Sequence, residues 1–366
     1  MRVVFAPDSF KGTITAADAA RALAAGWRER DPAADLVLRP MADGGEGTVA
    51  AFEAAVPGAQ RMPVTVDGPA GRPVDASWLL LPASHDAPHG TAVIDLASTS
   101  GIELLDELRP WDADSSGFGQ AIAAALEHGV SRLVLGIGSS ASTDGGTGML
   151  RALGARFVSV DGTEAVPGAR GLASIARVDL RSLRTAPETL VLSDVTNPFT
   201  GPRGTAAVFG PQKGLTDAAD RAAVDASLVR LAGLLGLDPA TPGAGAAGGV
   251  GAALVAWGAR LLPGAGEVAR LIGLSGAITG ADVVVTGEGS YDGQSSDGKV
   301  PSFVASVAAD AGARAALAAG RIAADSDTSL FTAAVSLTEL AGSAASALSD
   351  TARWLRAAGR TLAERA

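Results

Sequence analysis

The sequence predicts an α/β protein with two domains, and three observations support that fold class. The chain has 366 residues, which is long for a single hydrophobic core. Short apolar, β-branched runs such as 283–285 are followed by glycine-rich loops and then by helical sequence, the pattern of parallel strands joined by helices. In the segment 63–82, by contrast, apolar and polar residues alternate on both sides of a turn signal at 67–71, which is typical of antiparallel strands.

The composition excludes several classes of protein. A formal net charge of −10 argues against nucleic acid as a partner held by bulk electrostatics. No apolar run approaches the length of a membrane span, and no basic region followed by an apolar stretch marks a signal peptide. A cytoplasmic enzyme with no membrane partner is therefore expected. The absence of cysteine excludes disulfides, thiolate metal sites and a cysteine nucleophile.

Two strand–loop–helix units open the chain. The strands are predicted at 2–6 and 35–40, with helices beginning near Thr15 and Thr48. Open α/β sheets bind ligands at the carboxyl ends of their strands, so both loops are candidate sites. Turn formation or helix capping is the alternative role for their aspartates. The candidate residues in these two loops are Asp8, Ser9, Lys11, Asp43, Gly44, Gly45 and Glu46.

A third loop rich in glycine and acids is predicted after the strand 283–285. Its glycines would let main-chain N–H groups approach an anion, its acids could hold a metal ion or accept a proton, and its lysine could contact phosphate. The spacing Gly293-x4-Gly298-Lys299 matches a P-loop, but Val300 stands where a P-loop has its magnesium-binding Ser or Thr, so a true P-loop is excluded. The candidate residues in this loop are Gly287, Glu288, Asp292 and Lys299.

Lysine is rare in this chain and always lies beside glycine. The lysines are Lys11, Lys213 and Lys299, and the rest of the 29 lysine and arginine residues are arginines. A compact ammonium that reaches a phosphate oxygen in a tight site is hard to replace by arginine, so these lysines are predicted to lie at an anion site. Ordinary surface charge is the alternative.

The second half of the chain adds further candidates. A strand predicted at 189–193 is followed by Asp194 and by Asn197, the only asparagine of the chain. The segments 251–262 and 338–365 are predicted to be helical.

Two glycine patterns resemble dinucleotide-binding motifs. The loop 136–146 contains G-x-G-x-x-A after a predicted strand, but the acid expected about 20 residues later is poorly placed. The segment 241–249 contains G-x-G-x-x-G after a proline rather than a strand, so Gly245 and Gly248 could either lie near a ligand or allow close helix packing. A nicotinamide-dependent dehydrogenase therefore stays open as an alternative.

The chemistry that best fits this set of residues is phosphoryl transfer. That reaction needs carboxylates and phosphates to hold Mg²⁺, cations over the transferred group, and a base, normally Asp, for an alcohol acceptor. The three histidines lie outside the glycine- and acid-rich loops, which argues against a Ser-His-Asp hydrolase.

Six motifs taken together resemble the type I glycerate kinase family, in order from residue 1 to about 311. The resemblance implies two α/β domains with the active site in the cleft between them. One would contain a Rossmann-like parallel sheet with helices on both faces, formed by 1–65 and 285–366, and the other a mixed sheet, formed by 66–284. It also implies that ATP and Mg²⁺ are used to phosphorylate D-glycerate, giving 2-phosphoglycerate. A monomer or homodimer is expected. The matching motifs lie at 6–11, 42–48, 194–198, 208–214, 242–249 and 286–289.

The resemblance also suggests roles for the candidate residues. Asp194 or Asp8 would take the proton of the acceptor hydroxyl, and Asp292 and Glu288 would contact Mg²⁺ or orient the acceptor. The lysines would neutralise charge on phosphate and glycerate. The predicted catalytic residues are Asp194, Asp8, Lys11 and Asp292. The predicted substrate- or phosphate-binding residues are Ser9, Asp43, Gly44, Gly45, Glu46, Asn197, Lys213, Gly245, Gly248, Gly287, Glu288 and Lys299.

The sequence departs from the family pattern at a few positions near the proposed site. The family usually has arginine where Ser290 stands, histidine where Asp297 stands, and a Gly-Ser pair within the segment 319–321. These departures keep open a kinase for a related hydroxy acid and a kinase that forms 3-phosphoglycerate. A non-catalytic binding protein for small anions is a further alternative.

Overall fold

A computed structural model describes residues 1–292 and 299–365 of the chain. The residues form two compact units. Unit 1 comprises 1–43, 47–57 and 264–366, and unit 2 comprises 44–46 and 58–263. The domain division predicted from the sequence stays a prediction; the compact units assign 44–46, 58–65 and 264–284 differently.

The strands and helices alternate along much of the chain. The strands are β1 Arg2–Phe5, β2 Asp35–Leu38, β3 Gln60–Asp67, β4 Pro73–Leu81, β5 Thr91–Asp95, β6 Arg132–Gly136, β7 Arg156–Ser159, β8 Ile175–Asp179, β9 Glu188–Leu192, β10 Arg260–Leu262, β11 Val283–Tyr291, β12 Arg314–Ile322 and β13 Ala333–Ser336. The helices are α1 Ala16–Arg28, α2 Thr48–Ala55, α3 Ala97–Ser100, α4 Ser116–His128, α5 Thr147–Ala152, α6 Gly168–Leu172, α7 Ala218–Leu235, α8 Val250–Ala256, α9 Gly264–Leu271, α10 Leu274–Ile278, α11 Val300–Asp310, α12 Leu337–Ala341, α13 Ala344–Ser349 and α14 Thr351–Arg365.

Unit 1 is built on a parallel sheet in the order β13-β12-β11-β1-β2. Its central strands are continuous apolar runs, as expected for strands buried on both faces. On one face Val283 and Val285 pack with Leu23 and Trp27 of α1 and Leu355 of α14. Helix α11 packs against β11 and β12 outside that cluster. The prediction of a Rossmann-like parallel sheet is confirmed.

Strand β11 is longer than the sequence indicates. The prediction ended the strand at Val285 and placed Gly287 and Glu288 in a loop, which is wrong, because β11 continues to Tyr291. The extension pairs in register with β12 from Gly287 to Tyr291. Glycine weakens a strand, so the local sequence favours a loop, but pairing with a strand distant in sequence overrides that preference.

Unit 2 contains a mixed sheet in the order β10-β9-β6-β5-β4-β3 and a separate antiparallel pair, β7 and β8. The antiparallel strands predicted within 63–82 are confirmed as β3 and β4. Strand β5 is antiparallel to β4, and β5, β6, β9 and β10 are parallel to one another. The core contains Phe118, Leu133, Met149 and Phe157. The predicted mixed-sheet α/β domain is likewise confirmed.

Two predicted helices differ from the structure. Helix α8 ends at Ala256 and Arg260–Leu262 forms β10, so the prediction of a helix through 262 is wrong; Gly258, at φ +101°, allows the chain to turn between them. The segment 338–365 lies in three helices, α12 to α14, rather than one. Gly342, at φ +77°, ends the first of them, and Ser343 caps the second.

Within the described part of the chain, no helix combines the length and the apolar character needed to cross a bilayer.

Candidate active site

Unit 1 contains a cavity of about 540 Å³ at the carboxyl ends of β1, β11 and β12. Helices α12 to α14 supply an apolar part of its wall, including Leu337 and Ala347. This is the edge at which open parallel sheets bind ligands. The charged and hydroxyl-bearing side chains nearest the strand ends are Asp8, Ser9, Lys11, Asp43, Glu288, Ser290, Asp292, Lys299 and Arg321.

Main-chain hydrogen bonds hold Asp8 beside β11. The N–H of Ala6 donates to the oxygen of Val285 over 2.7 Å, and the N–H of Asp8 donates to the oxygen of Gly287 over 2.8 Å. The segment after β1 therefore follows β11 although it is no longer a strand. The N–H of Ser9 donates to Oδ1 of Asp8 over 2.6 Å and fixes the carboxyl group.

The loop after β2 is held against the same segment. The N–H of Met41 donates to the oxygen of Pro7 over 2.9 Å, which ties the two loops together. Gly264, the first residue of α9, lies against the main chain of Asp43, and a Cβ on this glycine would lie 1.8 Å from the Asp43 oxygen. Only glycine fits at this position, so Asp43 has a defined place in the cavity wall.

The acids of the cavity repel one another. The pKa of Asp8 is raised to about 8, mainly by burial and further by the negative charges of Asp43 and Glu288. The N–H of Ser9 and the ammonium of Lys11 oppose it without cancelling it. Asp8 is therefore largely protonated at neutral pH, and a cation bound among these acids would favour the carboxylate.

Two contacts of charged side chains lie at the end of β11 and just beyond it. Lys299 Nζ lies 3.6 Å from Oδ1 of Asp292, and both side chains are more than a third exposed. Arg321 on β12 donates from Nη2 to Ser290 Oγ over 3.3 Å. The cavity wall thus carries three cations, the third being Lys11.

The structure brings most of the unit 1 candidates together. Seven predicted site residues line the one cavity: Asp8, Ser9, Lys11, Asp43, Glu288, Asp292 and Lys299. Gly287 supports it from within β11, where a Cβ would lie 2.1 Å from the oxygen of Ala318. The departure at Asp297, and Gly293 and Gly298 of the P-loop-like spacing, lie outside the described residues.

Sequence reasoning missed Arg321 as part of this cavity. From the sequence, the segment 319–321 is only a departure from the family pattern. One signal could have identified it. Arg321 follows an apolar run that predicts a strand, and the carboxyl ends of the strands were the predicted site.

The remaining candidates belong to unit 2. The side-chain amide of Asn197 donates to the oxygen of Arg203 over 2.8 Å, and its main-chain oxygen accepts from the N–H of Gly245 over 3.0 Å. A Cβ on Gly245 would lie 2.2 Å from the oxygen of Pro198, so this glycine allows a close main-chain contact. Asp194 is exposed just beyond the carboxyl end of β9.

Gly44, Gly45 and Glu46 are also part of unit 2. The oxygen of Gly44 accepts from the N–H of Gly138 over 3.1 Å, and a Cβ on Gly44 would lie 2.2 Å from the oxygen of Leu192. Glu46 is exposed. The glycines therefore serve close main-chain packing in this unit, and the binding roles predicted for all three residues stay predictions.

Lys213 is enclosed within unit 2 and is 3% exposed. Its Nζ donates to Ser140 Oγ and to the main-chain oxygen of Ser142, both over 2.6 Å. Burial lowers the pKa of Lys213 to about 7, against the opposing charge of Asp144. A Cβ on Gly248 would lie 1.9 Å from the Ser142 oxygen and 3.0 Å from the lysine Nζ. The structure gives both residues an internal packing role, and their predicted contact with phosphate stays a prediction.

Comparison with known proteins places the chain in a family. A model of the glycerate kinase family matches residues 3–366. A glycerate 2-kinase of Escherichia coli K12 is 42% identical over 320 residues, covering 84% of this chain and 82% of the relative. A glycerate kinase of Halalkalibacterium halodurans is 40% identical over 331 residues, covering 87% of this chain and 85% of the relative.

A solved structure agrees with these sequence comparisons. The crystal structure of a protein from Salmonella typhimurium LT2, described as a glycerate kinase 2, superimposes with a TM-score of 0.85 at 37% sequence identity. The match covers 100% of this chain and 97% of the other. The resemblance inferred from six short motifs thus extends over the whole sequence, and the chain belongs to the glycerate kinase family.

Proposed function

We propose that this protein transfers the γ-phosphoryl group of ATP to D-glycerate and releases 2-phosphoglycerate and ADP. One observation carries the proposal: acids and lysines from distant parts of the chain line one cavity at the carboxyl edge of the unit 1 sheet. Positioned cations and carboxylates are what phosphoryl transfer requires. The name of the Escherichia coli relative, glycerate 2-kinase, supports the 2-position over the 3-position.

Asp8 fits the role of general base for the acceptor hydroxyl. A base works best when its pKa lies near the working pH, and burial together with Asp43 raises the pKa of Asp8 to about 8. The Ser9 N–H donates to Oδ1, which leaves Oδ2 of the same carboxyl group to accept the hydroxyl proton. Asp194 in unit 2 is the alternative base.

Mg²⁺ fits the donor chemistry of this cavity. Among the described residues, no three His, Asp or Glu side chains are grouped to hold a metal ion by themselves. Mg²⁺ is usually bound through one or two carboxylates together with substrate phosphates, and Glu288 and Asp292 would supply those carboxylates. When bound, the ion would neutralise charge on the phosphates. The repulsion that raises the Asp8 pKa supports a cation near these acids.

Lys11 and Lys299 would act as point charges on the phosphate oxygens. Both line the cavity, and Lys299 is kept near its position by Asp292 at 3.6 Å. An ammonium carries its charge on one atom with three rotatable donors, so it can follow an oxygen as the phosphoryl group moves. Lys213 stays a proposed phosphate contact, which would require its charged form.

A coupled ADP-release assay with D-glycerate, ATP and Mg²⁺ tests the function. We expect ADP release that depends on D-glycerate, and phosphorus NMR of the product should show the phosphate on the 2-hydroxyl. The control measures NADH absorbance with the same acid and a nicotinamide cofactor. NADH formation without ADP release would favour a dehydrogenase, and binding of D-glycerate without either reaction would favour a binding protein. A 3-phosphate would correct the regiochemistry alone.

A further inference from the structure

We propose that Arg321 binds the carboxylate of the acceptor acid, with Ser290 holding the guanidinium in place. This inference deepens the proposed function and rests on it. It assigns a specificity role to two residues at positions where the sequence departs from the family pattern.

Register places the two residues side by side. Strands β11 and β12 are parallel neighbours, and Ser290 is the partner of Arg321 in their pairing. Side chains at paired positions of neighbouring strands leave the sheet on the same face. The guanidinium donates from Nη2 to Ser290 Oγ over 3.3 Å, and both residues line the cavity. The arginine is thus directed along the cavity wall rather than away from it.

The other two cations of the cavity already have acidic neighbours. Lys299 lies 3.6 Å from Asp292, and the charge of Lys11 acts on the pKa of Asp8. Within residues 1–292 and 299–365, no carboxylate lies within 4.0 Å of the Arg321 guanidinium. Its one described side-chain contact is to a neutral hydroxyl, which leaves most of its five donors for a ligand.

The geometry suits a carboxylate. A guanidinium presents a planar fork that binds the two oxygens of a carboxylate together, whereas an ammonium is a point charge. Glu288 and Ser290 are two residues apart on β11, so their side chains lie on one face about 7 Å apart. A three-carbon hydroxy acid can span that separation with a hydrogen bond at each end. With its carboxylate on Arg321, its 3-hydroxyl would reach toward Glu288. The 2-hydroxyl that accepts the phosphoryl group would then lie between the two, along the wall that also carries Asp8.

A phosphate group of ATP is the other anion that this arginine could bind. The KM values for D-glycerate and for ATP distinguish the two ligands. In Arg321→Gln we expect the KM for D-glycerate to rise about 10- to 100-fold, the usual effect of losing hydrogen bonds to a charged group. The KM for ATP should not change. Arg321→Lys, which keeps the charge without the fork, should give an intermediate KM for D-glycerate.

The control arginine is Arg314, at the amino end of the same strand and outside the cavity. Arg314→Gln should leave both KM values at the wild-type level. The sharpest variant exchanges the pair: Ser290→Arg combined with Arg321→Ser returns a guanidinium to the same register position. We expect it to recover most of the D-glycerate affinity that Arg321→Ser alone loses, which a purely structural role for the arginine would not produce.

The outcomes distinguish this inference from the proposed function. Wild-type turnover together with an unchanged D-glycerate KM in Arg321→Gln would overturn the inference and leave the function standing. A rise only in the KM for ATP would assign the arginine to phosphate and also overturn it. If the wild-type protein shows no turnover, the proposed function fails, and calorimetric binding of D-glycerate to wild type and Arg321→Gln decides the inference separately. Equal affinities would overturn it.

Discussion

Lys213 donates a hydrogen bond from Nζ to the main-chain oxygen of Ser142 over 2.6 Å inside unit 2. A second bond of the same length reaches Ser140 Oγ, and the side chain is almost fully buried. Removing an ammonium from water is costly, so burial lowers the pKa of Lys213 from 10.5 to about 7. The amine is therefore uncharged in much of the protein at mildly alkaline pH.

This burial should make stability depend on pH. Between about pH 7 and pH 10.5 the unfolded chain carries a proton on Lys213 that the folded chain has released, so the free energy of unfolding rises with pH across that window. The full effect is of the order of a few kcal/mol. Lys213→Met should remove this rise, so the difference in Tm between wild type and variant should change steadily from neutral to alkaline pH.

Lys299→Met is the matched control for that measurement. Lys299 lies at the unit 1 cavity with more than a third of its side chain exposed, so its loss should leave the pH dependence of Tm as in wild type. Parallel Tm profiles for wild type and Lys213→Met would show that the buried amine keeps its proton in the folded state.

The sequence predicted the parallel sheet and most of the cavity because both depend on local patterns. Asp8, Asp43 and Glu288 each follow an apolar strand-forming run, and the carboxyl ends of parallel strands meet at one edge of a sheet. Once the strands were identified, the convergence of these acids followed from the geometry of the fold.

What the sequence did not predict depends on contacts between distant segments. The extension of β11 through Ser290 arises from pairing with β12, and the place of Arg321 in the cavity follows from the register of that pairing. Lys213 lies beside a glycine, as do the two lysines of the cavity, yet tertiary packing buries it. Flanking residues do not reveal burial, so three similar local patterns led to one prediction for different environments.

Gly248 should be among the least replaceable residues of unit 2. Its φ of +67° is unfavourable for other residues, and a Cβ would lie 1.9 Å from the Ser142 oxygen that accepts from Lys213. We expect Gly248→Ala to lower the free energy of unfolding by roughly 2–4 kcal/mol or more, combining backbone strain and overpacking. Thermal unfolding measures the change.

The control for that substitution is Gly233, near the end of α7. This glycine has ordinary helical backbone and no atom within 4 Å of an added Cβ. Gly233→Ala should therefore raise stability by about 0.5–1 kcal/mol, because alanine favours the helix. A tolerated Gly248→Ala would show that the contact around Ser142 can relax.

The pH dependence of turnover should identify the base. A carboxyl group acts as a base only when ionised, and its activity is lost as pH falls through its pKa. If Asp8 is the base, kcat/KM with D-glycerate should rise with pH and level off above the pKa of that carboxyl group, which is about 8 without a bound cation and lower once Mg²⁺ is bound. Asp8→Asn should lower kcat by about 10²- to 10⁴-fold and abolish this rise, because an amide cannot take the proton.

Asp194→Asn provides the comparison, since Asp194 is the alternative base. If Asp8 takes the proton, Asp194→Asn keeps the same rise of kcat/KM with pH as wild type, whatever its maximal rate, because the ionisation of Asp8 is untouched. Loss of the rise in Asp194→Asn, with the rise retained in Asp8→Asn, would instead make Asp194 the base. Bound cations would then convert Asp8 to its charged form, and its role would be to hold those cations by electrostatic attraction rather than to accept a proton.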